Sequence, residues 1–178
     1  TLAASADEIW TRGYENIVGL DTPSTRYMDI AIEVAAERGA KTMALVWAET
    51  DFGRDVVGGV RRKASEVGIR IILDQSADDI ADIPGMVGQL DEANADVVMA
   101  IAYLEGAVGL VRELKKSDVK PKMLVFGVGA SLAAFGQELL EDAEGVVGVV
   151  QWLRGIKVPG AQDFAYRFRK LYGHNPAA

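Results

Sequence analysis

Five apolar runs of strand length recur along the chain at nearly constant spacing, and that spacing restricts the fold more than any other feature. The runs are Thr42 to Ala48, Arg70 to Leu73, Asp96 to Ala102, Lys122 to Gly127 and Gly145 to Trp152. Their starts lie 28, 26, 26 and 23 residues apart. They are rich in Val, Ile, Met and Ala with little polar alternation, as strands covered on both faces of a parallel sheet should be. Between them runs a helical period: Val56, Val57, Val60, Ala64 and Val67 form one stripe. Met86, Val87, Leu90 and Ala93 form a second, and Ala107, Leu110, Val111 and Leu114 a third. Strand, helix and parallel strand in succession make a βαβ crossover, nearly always right-handed. The expected fold class is therefore α/β, a Rossmann-like three-layer α/β/α parallel sheet.

The punctuation agrees. Gly39 and Gly68 fall where the residue after a helix belongs, Thr22-Pro23 can open a helix holding Tyr27, Ile30, Ala31 and Val34, and Asp82 precedes Pro84 at another start. The units share a pattern but no repeated motif, so a short-period solenoid is excluded. Two flanks fit the sheet less well. Glu15 to Leu20 reads as a short strand before the first helix, and Ala161 to Tyr172 as an amphipathic helix with Phe164, Phe168 and Leu171 on one face.

At 178 residues the chain has the length of one domain, and with about half its residues apolar it can bury a sizeable core. The formal net charge is −7 and the Lys and Arg residues are dispersed, so no nucleic-acid partner is expected. No run of about 18 apolar residues is present, so no segment is expected to span a bilayer. The chain opens with neither an initiator Met nor the basic and apolar regions of a secretory leader, and localisation is not legible there. Zero cysteines remove disulfides, thiol nucleophiles and Cys-ligated zinc.

Catalytic constellations are sparse. The single histidine, His174, sits beside Gly173 and Asn175 close to the C-terminus, without the partners that acid–base or zinc chemistry requires. The carboxylate pairs Asp78 with Asp79 and Glu141 with Asp142 lie in polar loops and read as solvated charges. Gly127-Val128-Gly129-Ala130-Ser131-Leu132 follows a strand and opens a helix, as a dinucleotide fingerprint does. Its third glycine is replaced by Leu132, it follows the fourth strand, and no acid stands some 20 residues on. No P-loop is present. The expectation is a protein that is not an enzyme and needs no cofactor or metal.

A binding edge remains. In open α/β sheets, ligands collect beyond the carboxyl ends of the strands, where helix N-termini present free N–H groups. Three loops reach that edge: Glu49-Thr50-Asp51-Phe52-Gly53, Tyr103-Leu104-Glu105-Gly106, and Gly127-Val128-Gly129-Ala130-Ser131. Two aromatic rings and a glycine turn suit a modest organic ligand. Equally, Phe52 and Tyr103 could simply plug the ends of the sheet.

At this point the residues resemble the type I periplasmic binding proteins, in particular the branched-chain amino-acid branch that serves ABC importers. The resemblance is carried by Lys41-Thr42-Met43-Ala44-Leu45-Val46 before Asp51-Phe52-Gly53, by Asp96-Val97-Val98 with Tyr103, and by Glu144-Gly145-Val146-Val147-Gly148 leading to Trp152-Leu153. It extends from about Ile9 to Tyr172 and rests on the order and spacing of these pieces. It implies two lobes joined by crossing segments, with the solute trapped between them. Residues 1–22 would then be a remnant of lobe one and a crossing strand, 23–150 the ligand-binding lobe two, and 151–178 the return crossing and a lobe-one helix. Within the flanks, Glu15 to Thr22 and Val149 to Arg154 would be the crossings, with most of lobe one lying outside this chain.

The resemblance further implies an extracytoplasmic solute-binding protein, periplasmic or extracellular, whose partners are a small-molecule solute and the membrane subunits of an ABC importer. Asp51, Phe52, Tyr103, Leu104, Val128, Gly129 and Ala130 are the implied ligand contacts. Phe52 and Tyr103 would give apolar and stacking contact, Tyr103 a hydroxyl bond, and the amides of Gly129 and Ala130 a seat for a carboxylate. Amino-acid receptors of this family carry an acid in the loop after strand four to meet the ligand ammonium, and this chain has none there. Either another carboxylate such as Glu105 substitutes, or the solute is an aromatic or aliphatic acid without an amine, the second being preferred. The alternative function is the ligand-sensing domain of a receptor or transcription regulator, with a dinucleotide-binding enzyme domain behind it. A lone lobe is expected to bind solute weakly or not at all and to favour self-association.

Overall fold

The computed structural model describes residues 5–19, 21–77, 83–153 and 155–176. All five apolar runs form strands: β1 Thr42–Ala48, β2 Arg70–Ala77, β3 Val97–Ala102, β4 Met123–Val128 and β5 Val146–Val149. They pair in parallel in the order β2-β1-β3-β4-β5. The helices are α1 Asp7–Thr11, α2 Asp29–Glu37, α3 Asp51–Glu66, α4 Ile83–Ala93, α5 Leu104–Leu114, α6 Ala133–Leu139 and α7 Ala161–Tyr172. One core layer packs Ile32 of α2 and Val56, Val57 and Val60 of α3 on Met43, Leu45 and Met99 of the sheet. The opposite layer packs Leu90, Val108, Val111 and Phe135 on Val46, Val98 and Phe126. The expected three-layer parallel α/β architecture is what forms.

Strand lengths differ where a strand lies on an edge. β2 continues past Leu73 through Asp74, Gln75 and Ser76, paired with β1 as far as Ala48 with Ala77. An edge strand is half solvated, so its polar residues hid its length from a search for apolar runs. β5 is shorter than Gly145 to Trp152, because it borders the sheet and pairs with β4 only over Leu124 to Gly127.

The stretch before the sheet also departs from expectation. Thr22-Pro23 leads into a 3-10 turn at Ser24–Arg26, and α2 begins only at Asp29. Met28 at 2% exposure fixes the phase, so Ala31, Ile32 and Ala35 face the core while Ile30 is left outside. Residues 15–19 form turn and coil, not a strand, because the chain folds back on α1 until the Trp10 ring covers Gly19. Leu20, Asp78, Asp79, Asp82 and Arg154, each named above, lie outside the described residues. Gly39 and Gly68 both adopt positive φ behind their helices, as expected.

At the amino edge of the sheet, Asp96 ties three elements together. Its carboxylate meets the Lys122 ammonium at 2.7 Å and accepts from the amides of Lys41 and Thr42 at 2.8 and 3.1 Å. Lys122 first and the Lys41 amide next hold the Asp96 carboxyl well below the usual carboxylate range. Among the described residues no helix is long and apolar enough to cross a membrane.

Candidate ligand-binding site

The strand order reverses between β1 and β3: β2 lies on one side of β1, and β3 and then β4 on the other. At such a switch point the loops leave in opposite directions and open a crevice at the carboxyl edge. A cavity of about 530 Å³ lies there, a size suited to a small organic ligand. Its walls are apolar: Val46 and Ala48 from β1, Ala100 and Ala102 from β3, Met86 from α4 and Leu110 from α5. Thr50, Tyr103, Leu104, Glu105 and Gly106 join the lining from the two loops, and Trp47, Ile83 and Ile101 complete it. Small residues at 48, 100 and 102 create the space, since larger side chains there would fill it.

The sequence-predicted residues all lie at this edge but divide in two. Tyr103 and Leu104 line the cavity, and Tyr103 is 51% exposed. Phe52 does not: it packs with the α2–α3 core layer, on the other face of the sheet from the cavity walls, edge-on to Tyr27 at 5.7 Å. Burial raises the pKa of the Tyr27 phenol, whose hydroxyl donates to the Val149 carbonyl at 3.4 Å. Of the two aromatic rings, Phe52 is the plug and Tyr103 the open surface. The Asp51 carboxylate points to solvent and pairs with Arg54 at 2.6 Å, with Glu49 on the same guanidinium at 3.0 Å.

Val128, Gly129 and Ala130 lie beside the cavity without lining it. Val128 holds φ +54, unusual for a β-branched residue, and the chain turns there into a 3-10 segment at Gly129–Ser131. A Cβ on Gly129 would sit 2.7 Å from Ala107 Cβ and 2.8 Å from the carbonyl oxygens of Ala102 and Tyr103. The glycine therefore lets the β4 loop press against the loop that carries Tyr103. That packing role accounts for Gly129 of the incomplete dinucleotide pattern, while a Cβ on Gly127 would meet Met28 Sδ at 3.3 Å and Ile101 Cδ1 at 3.4 Å.

The two helices that start at the crevice are capped differently. The Thr50 hydroxyl accepts from the Gly53 amide at 2.9 Å and closes α3. Tyr103, the N-cap of α5, gives no side-chain cap, so the first-turn amides of α5 remain available to an anion. Sequence reasoning missed Val46, Ala48, Ala100 and Met86 as lining residues, because apolar residues on strands and helices read as core. Among the described residues no group of three or more His, Cys, Asp or Glu side chains is arranged to hold a metal.

The sequence matches the family described as "Periplasmic binding protein" over residues 2–178. Leu/Ile/Val-binding protein homolog 7 of Brucella abortus (strain 2308) is 26% identical over 190 residues, covering 98% of this chain and 48% of that protein. The chain thus spans about half the length of the curated relatives it matches. A leucine binding protein of Thermotoga maritima superposes with a TM-score of 0.78 at 18% identity, over 95% of this chain and 49% of that one. A solute binding protein of R. palustris, crystallised with benzoate, gives 0.75 at 13% identity over 91% and 45%. The structural likenesses establish the shared fold, and the family they accompany is one of binding proteins, not enzymes. By the match over residues 2–178, the chain belongs to the periplasmic binding protein family.

Proposed function

We propose that the chain is the second lobe of an extracytoplasmic solute receptor that delivers an amino acid or a small aromatic or aliphatic carboxylate to an ABC importer. The observation that carries this reading is the apolar cavity at the switch point, open at the edge where a facing lobe would close. Residues 23–150 would form the lobe, with 1–22 and 151–178 as crossings and lobe-one pieces. The Thr22 amide donates to Gln151 Oε1 at 2.7 Å, so the two flanks leave the lobe side by side, as paired crossings must. Ser24 binds back to Ser5 through both its amide and its buried hydroxyl, fixing the first flank to the lobe. The periplasmic relatives support an extracytoplasmic setting.

In this mechanism nothing is made or broken. The solute enters the crevice, its apolar part displaces water from the cavity, and lobe closure over Tyr103 excludes the rest of the solvent. Phe52, Val128, Gly129 and Ala130 would frame the edge, and Asp51 would face solvent at its rim. In the complete protein, Tyr103→Ala is expected to weaken solute binding at least tenfold, about 1.4 kcal/mol. Calorimetric titration with the protein's own solute checks this, and unchanged affinity would remove Tyr103 from the site.

A further inference from the structure

The chain has no cysteine, so its five methionines supply all of its sulfur. Four of them are sealed in the core layer under α2 and α3: Met28, Met43, Met99 and Met123 are 2%, 0%, 0% and 5% exposed. Met86 is placed differently. It lies on α4, is only partly buried, and packs on one side against the opposite core layer with Val87 and Leu90. On its other side it stands in the wall of the open cavity at the β1–β3 crevice. Among the described lining residues no other carries sulfur, and Ala100, Ala102 and Leu110 around it are hydrocarbon.

We propose that Met86 is the site at which peroxide oxidises this chain, and that the cavity is the route by which the peroxide arrives. A space of about 530 Å³ admits hydrogen peroxide, a molecule little larger than water, with no movement of the fold. Reaching the other four sulfurs requires opening a close-packed layer. In the reaction a lone pair of the Met86 sulfur attacks one peroxide oxygen, and an S–O bond forms as the O–O bond breaks. The departing hydroxide takes the proton of the transferred oxygen and leaves as water. Sulfur gives up two electrons and the peroxide accepts them, so the step needs no further reactant. The sulfoxide sets a polar oxygen, a hydrogen-bond acceptor, against hydrocarbon walls. An acceptor without a donor there costs stability and draws in water. Oxidation thereby turns an apolar cavity into a wet one. The proposal goes beyond the receptor reading and stands whether or not the cavity takes a solute.

The test exposes the full-length protein, Met86→Leu and Ala102→Leu to dilute hydrogen peroxide and follows the mass gain at each of the five methionines by peptide mapping. Met86 is expected to oxidise at least tenfold faster than Met28, Met43, Met99 or Met123. Ala102→Leu, which fills the cavity from β3, should slow Met86 at least threefold and leave the other four unchanged. A Met86 rate no higher than that of the buried four overturns the assignment of the site. A Met86 rate untouched by Ala102→Leu overturns the route, since the peroxide then reaches the sulfur from elsewhere. Melting temperatures read the consequence. Leucine nearly conserves the volume of methionine and cannot be oxidised in this way. Peroxide should therefore lower the melting temperature of the parent by at least about 2 °C more than that of Met86→Leu. Equal falls in the two proteins would overturn the claim that the sulfoxide spoils the cavity.

Discussion

Replacing Gly59 by alanine will destabilise the fold by about 3 kcal/mol or more, at the upper end for an overpacked site. Gly59 lies in the middle of α3, where alanine would ordinarily be the better residue by about 1 kcal/mol. Its Cα faces the 3-10 turn at Ser24–Arg26, and an added Cβ would stand 1.8 Å from the Thr25 carbonyl oxygen and 2.7 Å from Thr25 Cα. Those are backbone atoms, so no rotamer change relieves the overlap. Neither partner can withdraw easily. α3 is held by Val56, Val57 and Val60, each at most 1% exposed, and the turn by the buried Ser24 to Ser5 hydroxyl bond at 3.0 Å. Gly58 provides the internal control, because a Cβ there meets nothing within 4 Å. Gly58→Ala should raise stability by up to about 1 kcal/mol. At about 2–4 °C per kcal/mol for a chain of this size, the two neighbouring substitutions should move the melting temperature in opposite directions. Equal melting temperatures would show that α3 does not rest on that turn.

The second large effect separates stability from binding. Ala102→Leu places three further carbons into the cavity from β3. Filling an apolar void adds roughly 0.5–2 kcal/mol to the stability of the unliganded protein. In the same molecule, affinity for any solute whose apolar part needs that space should fall by a hundredfold or more, about 2.7 kcal/mol. Stability and affinity thus change with opposite sign, which misfolding cannot imitate. Paired thermal denaturation and titration of parent and variant read both. Retained affinity together with raised stability would mean that the solute never enters the cavity.

The sheet was legible because its strands are buried: β1 and β3 present unbroken apolar runs, with Met43, Leu45, Val97 and Met99 fully enclosed. Where burial is one-sided the reading failed, as in β2 beyond Leu73 and in the phase of α2, which depends on Met28 meeting the core. The site was legible as an edge but not as a cavity. Loop residues such as Tyr103 and Leu104 advertise themselves by type and position. Ala48, Ala100 and Ala102 do not, since a small residue marks a void only when its neighbours across the layer are known. Phe52 shows the converse, for an aromatic ring at a loop start carries no mark of which face it will cover. Its following glycine does have a structural cause, because a Cβ on Gly53 would stand 2.2 Å from the Ala48 carbonyl oxygen. α7 matched its expected bounds, yet it buries only Ala161 and Ala165, while Phe164 and Leu171 remain exposed. An amphipathic pattern gives the helix, not the surface that covers it.

The central claim, that this lobe takes a small apolar solute at the β1–β3 crevice, is tested most directly by the thermal stability of the full-length protein. Amino acids, aromatic acids and short aliphatic acids are to be added in turn. A true solute at a hundred times its Kd adds about 2.7 kcal/mol, a rise in melting temperature of several degrees. A saturable rise with at least one apolar member, lost in Ala102→Leu, is the predicted result. No rise with any of the three classes would contradict it.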